Sequence, residues 1–476
     1  MALALPHKAL VDAMARLLRA DQVLAGAAQE RAYDCDAYTV DRSAPSVVVL
    51  PESTEEVAAI VRWCVENEQP YTPRGAGTGL SGGTMPALGG VVISLKRMNR
   101  ILEIELPNRR LNAQAGIANA KITAAVKADG LHFAPDPSSQ TVSTLGGNIA
   151  ENSGGPHTLK YGVTAPHILE ITMVSPSGEI VRLSAERPGV NIVSVIVGSE
   201  GTLGVVTEAW VKLTPLPESV GTMLAAFRTV RDASECVSTL MARGLLPAAL
   251  EMMDKNILSA LKAAFGLEFP EGTGALLLVE CDGAPESVQQ EMRIAQDVFA
   301  EHHAISFSVA EDEVARQKLW TARKKGVGAM GRLAPSVVTH DGVIPRSKLP
   351  EMLDHIYEVS ERHGIGVANL FHAGDGNLHP IFYFDDRDPA QIEAVVAAGE
   401  EVIRRCIELG GSVTGEHGIG IEKLDLMRLM FSEADLALQA RVKAALNPTP
   451  LCNPCKVLPN QRGCVEHMRR WRGVAT

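Results

Sequence analysis

The sequence has 476 residues and a mass of 50.8 kDa, more than one hydrophobic core usually supports, so two or three domains are expected. With 46% hydrophobic and 21% charged residues it can bury large cores, and no stretch approaches the roughly 20 consecutive apolar residues that cross a bilayer. The net charge of −11 has the wrong sign for neutralising nucleic-acid phosphates. We therefore expect a soluble globular protein without a nucleic-acid partner.

The N-terminal segment predicts an amphipathic helix rather than a targeting signal. It has no basic leader followed by an uninterrupted apolar run, and Leu10, Met14, Leu17 and Leu18 fall on one helical face. These features favour a cytoplasmic protein.

The cysteines do not resemble a disulfide framework. Cys64, Cys236, Cys281 and Cys406 stand alone in apolar stretches, which is typical of reduced thiols packed in cores.

The C-terminal CNPC motif, Cys452 to Cys455, with Cys464 beyond it, suggests a metal or iron–sulfur site. Such clusters normally need four thiolates, so ordinary surface thiols are the favoured interpretation.

In chain order, residues 53–67 predict a helix packed on a core, with Ser53 and Glu56 forming a capping box at its start. From Pro73 to about Leu213, glycine-rich loops alternate with short apolar strands. These strands are predicted at 91–95, 168–176 and 205–213.

After a linker at Pro215 to Pro217 the pattern changes to strands alternating with amphipathic helices. Strands are predicted at 223–228, 248–253, 274–281 and 305–309, and helices at 234–243, 285–301, 312–331 and 390–409. The long last helix is predicted to turn Ile392, Val395, Val396, Val402, Ile403, Cys406 and Ile407 inward. This order suggests an α+β sheet with helices on one face.

The first glycine loop, PRGAGTGLSGG at 73–83, has the composition of a phosphate cradle. Glycine reaches conformations closed to other residues, so backbone N–H groups can converge on an anion. Its GxGxxG spacing lacks an apolar strand before it and is followed by another strand, so the Rossmann context for NAD is missing. No Gly-Lys-Ser/Thr ending supports a P-loop NTPase.

Two further loops, STLGGNIAENSGG at 143–155 and GSEGTLG at 198–204, have the same character. Tight turns between strands would explain any one loop, but three in one region are more than turns usually require. Together they suit a large dinucleotide with its pyrophosphate on main-chain amides.

These loops, together with FHAGDGNLHP at 371–380 and GEHGIG at 415–420, resemble the FAD-linked 2-hydroxyacid dehydrogenases. WTARKKG, HDGVIPR and NPCK, a variant of the family's NPGK, extend the resemblance to the flavin-bearing subunit of bacterial glycolate oxidase. D-lactate and D-2-hydroxyglutarate dehydrogenases are near relatives. The resemblance covers roughly residues 30 to 460.

The resemblance implies an α+β chain with an FAD-binding domain of the vanillyl-alcohol oxidase/p-cresol methylhydroxylase type. That domain is expected at 1–217 with the N-terminal helical segment. A substrate domain is expected at 218–476, with a C-terminal helical segment and a tail that returns to the FAD domain.

The resemblance also implies which residues contact FAD. We expect noncovalent FAD, since the first loop lacks the histidine through which some relatives attach flavin. The expected contacts are Pro73, Arg74, Gly75, Ala76, Gly77, Thr78, Gly79, Gly82, Gly83, Pro135, Asp136, Ser139, Thr144, Gly146, Gly147, Asn148, Ala150, Asn152, Gly154, Gly155, Tyr161, Gly162, Glu200, Gly201, Gly204, Val205 and Val206.

A second constellation consists of His372, His379, Glu416 and His417. Glycines between the two histidines break any helix, so a loop or strand is expected to bring the imidazoles together. Two imidazoles and a carboxylate are a common divalent-metal set. By resemblance, His372, His379 and Glu416 are the metal ligands and His417 is the catalytic base. Zn, Mn and Fe are not distinguished.

The resemblance places two residues against the substrate of this site. Arg323 occupies the family position that binds the substrate carboxylate, with Lys324 as a weaker candidate, and Asn377 lies between the metal ligands. Both basic residues also fit solvated helix charges.

The expected activity is oxidation of a small 2-hydroxy acid, such as glycolate or D-lactate, to the 2-oxo acid. D-2-hydroxyglutarate remains an alternative substrate. A metallohydrolase would leave the glycine loops unexplained, and a non-catalytic flavin-binding assembly subunit is the alternative from another class.

The resemblance implies partners as well. The chain has no convincing iron–sulfur motif, so we expect an iron–sulfur subunit and a second flavin-domain subunit of a glycolate oxidase complex. The same partners imply peripheral association with the inner face of the cell membrane.

Overall fold

The computed structural model describes residues 5–459, and its backbone contacts divide them into two units. Unit 1 holds the residues up to Gly154, Val163–Leu216 and the residues from His417 onward. Unit 2 holds Gly155–Gly162 and Pro217–Glu416. The change of unit after Leu216 lies next to the expected domain boundary, whereas the excursion at Gly155–Gly162 was not expected from the sequence.

Unit 1 contains three sheets and several helices. Its α-helices span His7–Leu17, Ala27–Arg31, Thr54–Glu66, Asn119–Val126, Leu145–Glu151, Val193–Ile196, Met427–Met430 and Glu433–Leu446. A four-stranded sheet has the order Val23–Leu24, Val47–Val49, Val91–Ser94, Tyr71–Arg74, and its last three strands are parallel. An antiparallel five-stranded sheet has the order Ile101–Glu105, Arg110–Gln114, Val205–Lys212, Ile168–Val174, Ile180–Ser184. Leu131–His132 pairs with Thr214–Pro215.

The helix Thr54–Glu66 forms as its periodicity predicts. Its apolar stripe packs into the core that also contains the four-stranded sheet. Ser53 Oγ accepts the backbone N–H of Glu56 at 3.2 Å. The Glu56 carboxylate instead accepts the N–H of Glu52 at 2.7 Å, so the predicted reciprocal capping box is only half formed.

The N-terminal helix also forms, but its predicted face is partly wrong. Leu10 and Met14 are fully buried, whereas Leu17 is 36% exposed. The helix ends at Leu17, and the next residue, Leu18, is extended. The helical period therefore does not predict the burial of these last two residues.

A short strand precedes the first glycine loop, contrary to the sequence interpretation. Tyr71–Arg74 pairs in parallel with Val91–Ser94, although Pro73 and Arg74 make it look polar. The element after the loop is the strand Val91–Ser94 rather than a helix, so a Rossmann-type phosphate site is still not formed here.

Unit 2 is built on one large antiparallel sheet. Its α-helices span Thr158–Tyr161, Val230–Ala242, Lys255–Phe265, Pro285–Glu301, Glu313–Ala329, Leu349–His363 and Pro389–Glu408. The strand order is Ser306–Val309, Ser219–Phe227, Ala275–Gly283, Ala249–Asp254, Gly366–His372, Asn377–Leu378, Gly342–Val343. Pro380–Phe384 pairs with both Gly366–His372 and Ser336–Thr339.

Helices cover both faces of this sheet, so the expectation of helices on one face is wrong. Every residue of Ala249–Asp254 is buried. Met252 contacts Ser234 of the helix Val230–Ala242, whereas Met253 belongs to a cluster with Ile257. Since neighbouring strand residues point to opposite faces, both faces must be packed.

The long helix Pro389–Glu408 buries the centre of its predicted stripe. Val395, Val402, Ile403 and Cys406 are buried, whereas Ile392, Val396 and Ile407 are only partly buried.

The isolated cysteines are free and buried, as predicted. Cys452 and Cys455 are each 1% exposed, so the surface interpretation is wrong for both. Cys455 is disulfide-bonded. Cys464 lies outside the described residues.

Within residues 5–459, no helix has the length and apolar character needed to cross a membrane.

Candidate active site

The three glycine loops of unit 1 converge on one cavity. It is lined by Pro73, Arg74, Gly75, Gly83, Thr84, Leu95, Thr144, Gly146, Gly147, Ala150, Glu151, Ile196, Ser199, Glu200, Gly201, Gly204, Val205 and Val206. Loops 73–83, 143–155 and 198–206, which are far apart in sequence, therefore form a single binding surface.

Close backbone approach explains why glycine is needed in these loops. A Cβ on Gly75 would lie 2.4 Å from Thr144 Oγ1, and a Cβ on Gly146 would lie 2.8 Å from Ala115 Cβ. Gly204 has a φ of +128°, which other residues rarely adopt. The cavity therefore depends on glycines that let the loops approach their neighbours closely, and a surface rich in exposed main chain fits an extended dinucleotide.

The other predicted flavin contacts lie beyond the cavity lining. In unit 1 these are Ala76, Gly77, Thr78, Gly79, Gly82, Pro135, Asp136, Ser139, Asn148, Asn152 and Gly154, and in unit 2 they are Gly155, Tyr161 and Gly162. The Tyr161 hydroxyl donates a 2.5 Å hydrogen bond to Asp282 Oδ2. The Tyr161 side chain therefore makes a hydrogen bond within unit 2.

Two predicted contacts of the cavity use their charged groups to hold the loops. Arg74 Nη1 donates to Cys35 O at 2.8 Å and to Thr84 Oγ1 at 3.0 Å. The Glu200 carboxylate accepts the N–H groups of Ile419 at 2.7 Å and Gly420 at 2.6 Å. These side chains shape the cavity walls.

The C-terminal tail joins two of the loops, a role that sequence reasoning missed. Asn453 Nδ2 donates to Gly83 O at 2.9 Å and to Glu200 O at 2.7 Å. The buried Lys456 Nζ donates to Met85 O at 2.8 Å. The NPCK motif was the signal, but the sequence did not show which loops it would meet.

In unit 2, strand pairing brings His372, His379 and Glu416 together. His372 ends the strand Gly366–His372 and is paired with Asn377 across a tight hairpin, so His379 follows directly after the returning strand Asn377–Leu378. Glu416 Oε1 lies 3.3 Å from His372 Nε2 and 3.1 Å from His379 Nε2. One ligand atom from each residue lies within 4.8 Å of the others, and the donor types and mutual distances fit a divalent metal.

The buried carboxylate of Glu251, which sequence reasoning missed, orients His372. The two residues are directly opposite in antiparallel strands, and His372 Nδ1 donates to Glu251 Oε1 at 2.6 Å. This leaves Nε2 directed at Glu416, the arrangement by which carboxylates orient metal-binding histidines.

The cluster is strongly ionic. Burial opposes ionisation of Glu251, but Arg323 and His372 outweigh it and lower the pKa of Glu251 to about 2. Burial also favours neutral His372, yet the charge and hydrogen bond of Glu251 raise the pKa of His372 well above its ordinary value. Burial opposes the charged form of Glu416, but hydrogen bonds from both histidines lower its pKa well below the usual range.

The predicted substrate residues are placed differently from one another. Arg323 is 6% exposed, and its Nε donates to Glu251, so part of the guanidinium already has a partner. The Asn377 backbone N–H donates to Asp375 Oδ1 at 3.0 Å, whereas its own Oδ1 is buried with no hydrogen-bond partner within residues 5–459. That orphaned oxygen fits a site for a polar ligand.

Lys324, the weaker candidate, donates to Gln317 in an exposed contact. His417, the predicted base, directly follows Glu416 and is the first residue of the last segment of unit 1.

Comparisons with known proteins agree with this fold. A family model described as FAD linked oxidases, C-terminal domain, matches residues 216–457, and one described as FAD binding domain matches residues 45–184. The chain therefore belongs to the FAD-linked oxidase family and is an FAD-dependent oxidoreductase.

Relatives and solved structures make the likeness more specific. The chain is 40% identical to glycolate oxidase subunit GlcD of Escherichia coli (strain K12), covering 91% of this chain and 88% of that protein. It is 34% identical to D-lactate dehydrogenase of Anaerostipes hadrus, covering 87% and 90%. 4-Ethylphenol oxidase from Gulosibacter chungangensis aligns with a TM-score of 0.81 at 19% identity, covering 96% and 99%. p-Cresol methylhydroxylase aligns at 0.78 and 16%, covering 97% and 99%.

The predicted family and fold are thereby confirmed. The chain has the vanillyl-alcohol oxidase/p-cresol methylhydroxylase type of FAD-binding fold with mixed α and β structure. FAD is confirmed as the cofactor class. The individual contact residues stay predictions.

Proposed function

We propose that the protein is a metal-assisted, FAD-dependent dehydrogenase that oxidises a small 2-hydroxy acid, with glycolate or D-lactate as the preferred substrate. The observation that carries this proposal is the convergence of His372, His379 and Glu416 in a chain of the FAD-linked oxidase family. Relatives named for glycolate oxidase and D-lactate dehydrogenase support the substrate class.

The reaction requires loss of the hydroxyl proton and of the C2 hydrogen. When bound, FAD accepts that hydrogen as a hydride, and a divalent metal polarises the hydroxyl oxygen and stabilises its developing negative charge. The chain supplies His372, His379 and Glu416 to hold the metal. The noncovalent FAD is assigned to the cavity of the glycine loops.

His417 is assigned as the general base. An imidazole with an ordinary pKa near ~6.5 accepts a proton at neutral pH, whereas a carboxylate near ~4 is a weak base but a good hard ligand. The division of labour between Glu416 as ligand and His417 as base follows from this difference.

Two residues are assigned to the substrate's polar groups. Asn377 would offer its orphaned Oδ1 as an acceptor to the substrate hydroxyl. Arg323 remains the candidate for the substrate carboxylate, using the guanidinium nitrogens other than the Nε that donates to Glu251.

The alternative from another class is a non-catalytic flavin-binding assembly subunit. Such a subunit has no use for a metal-ligand triad supported by a buried carboxylate at Glu251. The metal cluster therefore favours the catalytic assignment.

For the catalytic chain, we assign electron transfer to an iron–sulfur subunit and a second flavin-domain subunit. The name of the GlcD relative supports membership of such an assembly.

Removal of the metal tests the proposal. Protein stripped with a chelator and checked by elemental analysis should retain FAD but lose anaerobic flavin reduction by glycolate and D-lactate, and added Mn²⁺ or Zn²⁺ should restore it. An unchanged rate in verified metal-free protein contradicts the metal-assisted mechanism.

A further inference from the structure

A buried carboxylate, Asp341, binds the backbone of the segment that carries Glu416. Asp341 is completely buried and lies between the strands Ser336–Thr339 and Gly342–Val343. Its Oδ2 accepts the Thr414 hydroxyl at 2.5 Å and the Gly415 N–H at 2.7 Å, and its Oδ1 accepts the Glu416 N–H at 3.2 Å. Three successive residues thus donate to one side chain.

The segment needs such support because it has no regular secondary structure of its own. Residues 413–416 belong to neither a helix nor a strand, so sheet or helix hydrogen bonds do not fix their conformation. On the N-terminal side they are anchored by a bridge between Ser412 and Val343. Asp341 is next to that strand and continues the anchoring up to Glu416.

Steric contact on the other side leaves the segment little freedom. A Cβ on Gly415 would lie 2.3 Å from Asn377 Oδ1. The backbone is therefore pressed against Asn377, which belongs to the metal-binding hairpin, while the Asp341 carboxylate accepts its N–H groups. This combination determines where the Glu416 side chain starts.

We propose that Asp341 is a positioning residue for the metal centre: it fixes the backbone of residues 414–416 so that the Glu416 carboxylate meets His372 and His379. The inference rests on the proposed function, because it concerns the metal that those three residues hold. Asp341 acts through hydrogen bonds to the ligand's own backbone, whereas Glu251 acts through the ring of His372.

A direct role for Asp341 as metal ligand is the competing explanation. Asp341 Oδ1 lies 3.9 Å from His379 Nδ1, so it is near one of the ligands. The two explanations differ in what Thr414 does. Thr414 matters if Asp341 works by holding the segment, and it is irrelevant if Asp341 binds the ion.

The experiment measures Mn²⁺ affinity of FAD-loaded, metal-stripped protein from the electron paramagnetic resonance signal of free Mn²⁺. Asp341→Asn replaces an acceptor oxygen with an amide donor and should weaken binding about 10- to 100-fold, as for other residues that orient metal ligands. Thr414→Val removes one of the three donors at constant shape and should cause a smaller loss. FAD content should be unchanged in both variants.

Glu280→Gln is the matched control. Glu280 is also a buried carboxylate of unit 2, and it accepts hydrogen bonds from Thr222 at 2.6 Å and Trp320 at 2.7 Å. Its substitution should lower the melting temperature without changing Mn²⁺ affinity.

The outcomes separate this inference from the proposed function. If the unsubstituted protein binds no Mn²⁺, the proposed metal centre fails, and this inference with it. If it binds Mn²⁺ and Asp341→Asn binds equally well, only the positioning role is overturned. A loss in Asp341→Asn with no loss in Thr414→Val also overturns it, in favour of direct ligation.

Discussion

Among single residues, the neighbours Glu416 and His417 are assigned different roles, Glu416 as metal ligand and His417 as general base. Glu416 lies in the cluster of unit 2 with His372 and His379. His417→Ala should therefore keep metal and FAD but slow anaerobic flavin reduction by ~10²–10⁴-fold, the usual cost of losing a general base. Glu416→Ala should lose the metal.

Stopped-flow reduction together with elemental analysis checks both variants. If His417→Ala sheds its metal and reduces its flavin normally when metal is supplied in excess, the two roles must be exchanged or merged.

Asp36 provides a residue-scale test of how unit 1 is packed. It is 6% exposed, and burial raises its pKa to about 6 despite N–H donors from Tyr38 and Thr84. Because the folded pKa exceeds the ordinary value of 3.8, the folded state holds its proton more tightly. This stabilisation is complete below about pH 4 and is lost as the pH rises through about 6.

The free energy of unfolding should accordingly fall by about 2 kcal/mol between pH 4 and pH 6 through Asp36 alone. Asp36→Asn lacks this term, so its stability relative to the unsubstituted protein should improve over that range. Denaturant unfolding at several pH values measures the difference. A difference that does not vary with pH would show that Asp36 titrates normally.

The sequence identified the chemistry-bearing residue types but not the carboxylates that support them. Polar, glycine-flanked motifs contain His372, His379 and Glu416, so these residues could be identified from the sequence. Glu251 lies inside the strand Ala249–Asp254, and its partner His372 is 121 positions away. The register of the two strands places these residues opposite each other. That register cannot be predicted from a single sequence.

Among the structural elements, the glycine loops allow a specific prediction about FAD affinity. A Cβ on Gly75 would lie 2.4 Å from Thr144 Oγ1, so Gly75→Ala must displace the Thr144 side chain or one of two loops that line the cavity. Overpacking of this kind costs about 1–3 kcal/mol, which corresponds to a roughly 5- to 150-fold loss of FAD affinity. Fluorescence titration of the apoprotein with FAD measures it.

Gly328→Ala is the control, because nothing lies within 4 Å of a Cβ at Gly328. It should bind FAD normally. Equal FAD affinity in Gly75→Ala and Gly328→Ala would mean that the close approach at Gly75 does not shape the binding cavity.

Helices were predicted better than the packing around them. The helix Pro285–Glu301 has the predicted bounds, since a 3.6-residue apolar period is a strong local signal. The strand Tyr71–Arg74 was missed because its stability comes from parallel pairing with Val91–Ser94. Coverage of both faces of the large sheet was also missed, because a continuous apolar strand does not reveal what packs on each side.

In the whole molecule, the chain passes between the two units more often than the single predicted boundary at residue 217 implies. Gly155–Gly162 belongs to unit 2, where Tyr161 bonds to Asp282. The sequence predicts flavin contacts for Tyr161 and Gly162 but does not show that their segment belongs to unit 2. A short segment can pack with either neighbouring unit, and its side-chain partners decide which.

Electron disposal is also a property of the whole chain. We predict that reduced FAD passes its electrons to a separate protein. The isolated protein should reduce artificial dyes rapidly and dioxygen slowly, as parallel dye and peroxide assays would show. Stoichiometric peroxide formation at the dye rate would instead identify a self-sufficient oxidase.

The most direct test of the central claim is anaerobic reduction of the FAD- and metal-loaded protein by a panel of D- and L-2-hydroxy acids, with the 2-oxo acid product quantified. We expect complete flavin bleaching by glycolate or D-lactate, with one 2-oxo acid formed per FAD. Flavin that stays oxidised with every acid of the panel, in protein verified to hold both FAD and metal, would contradict it.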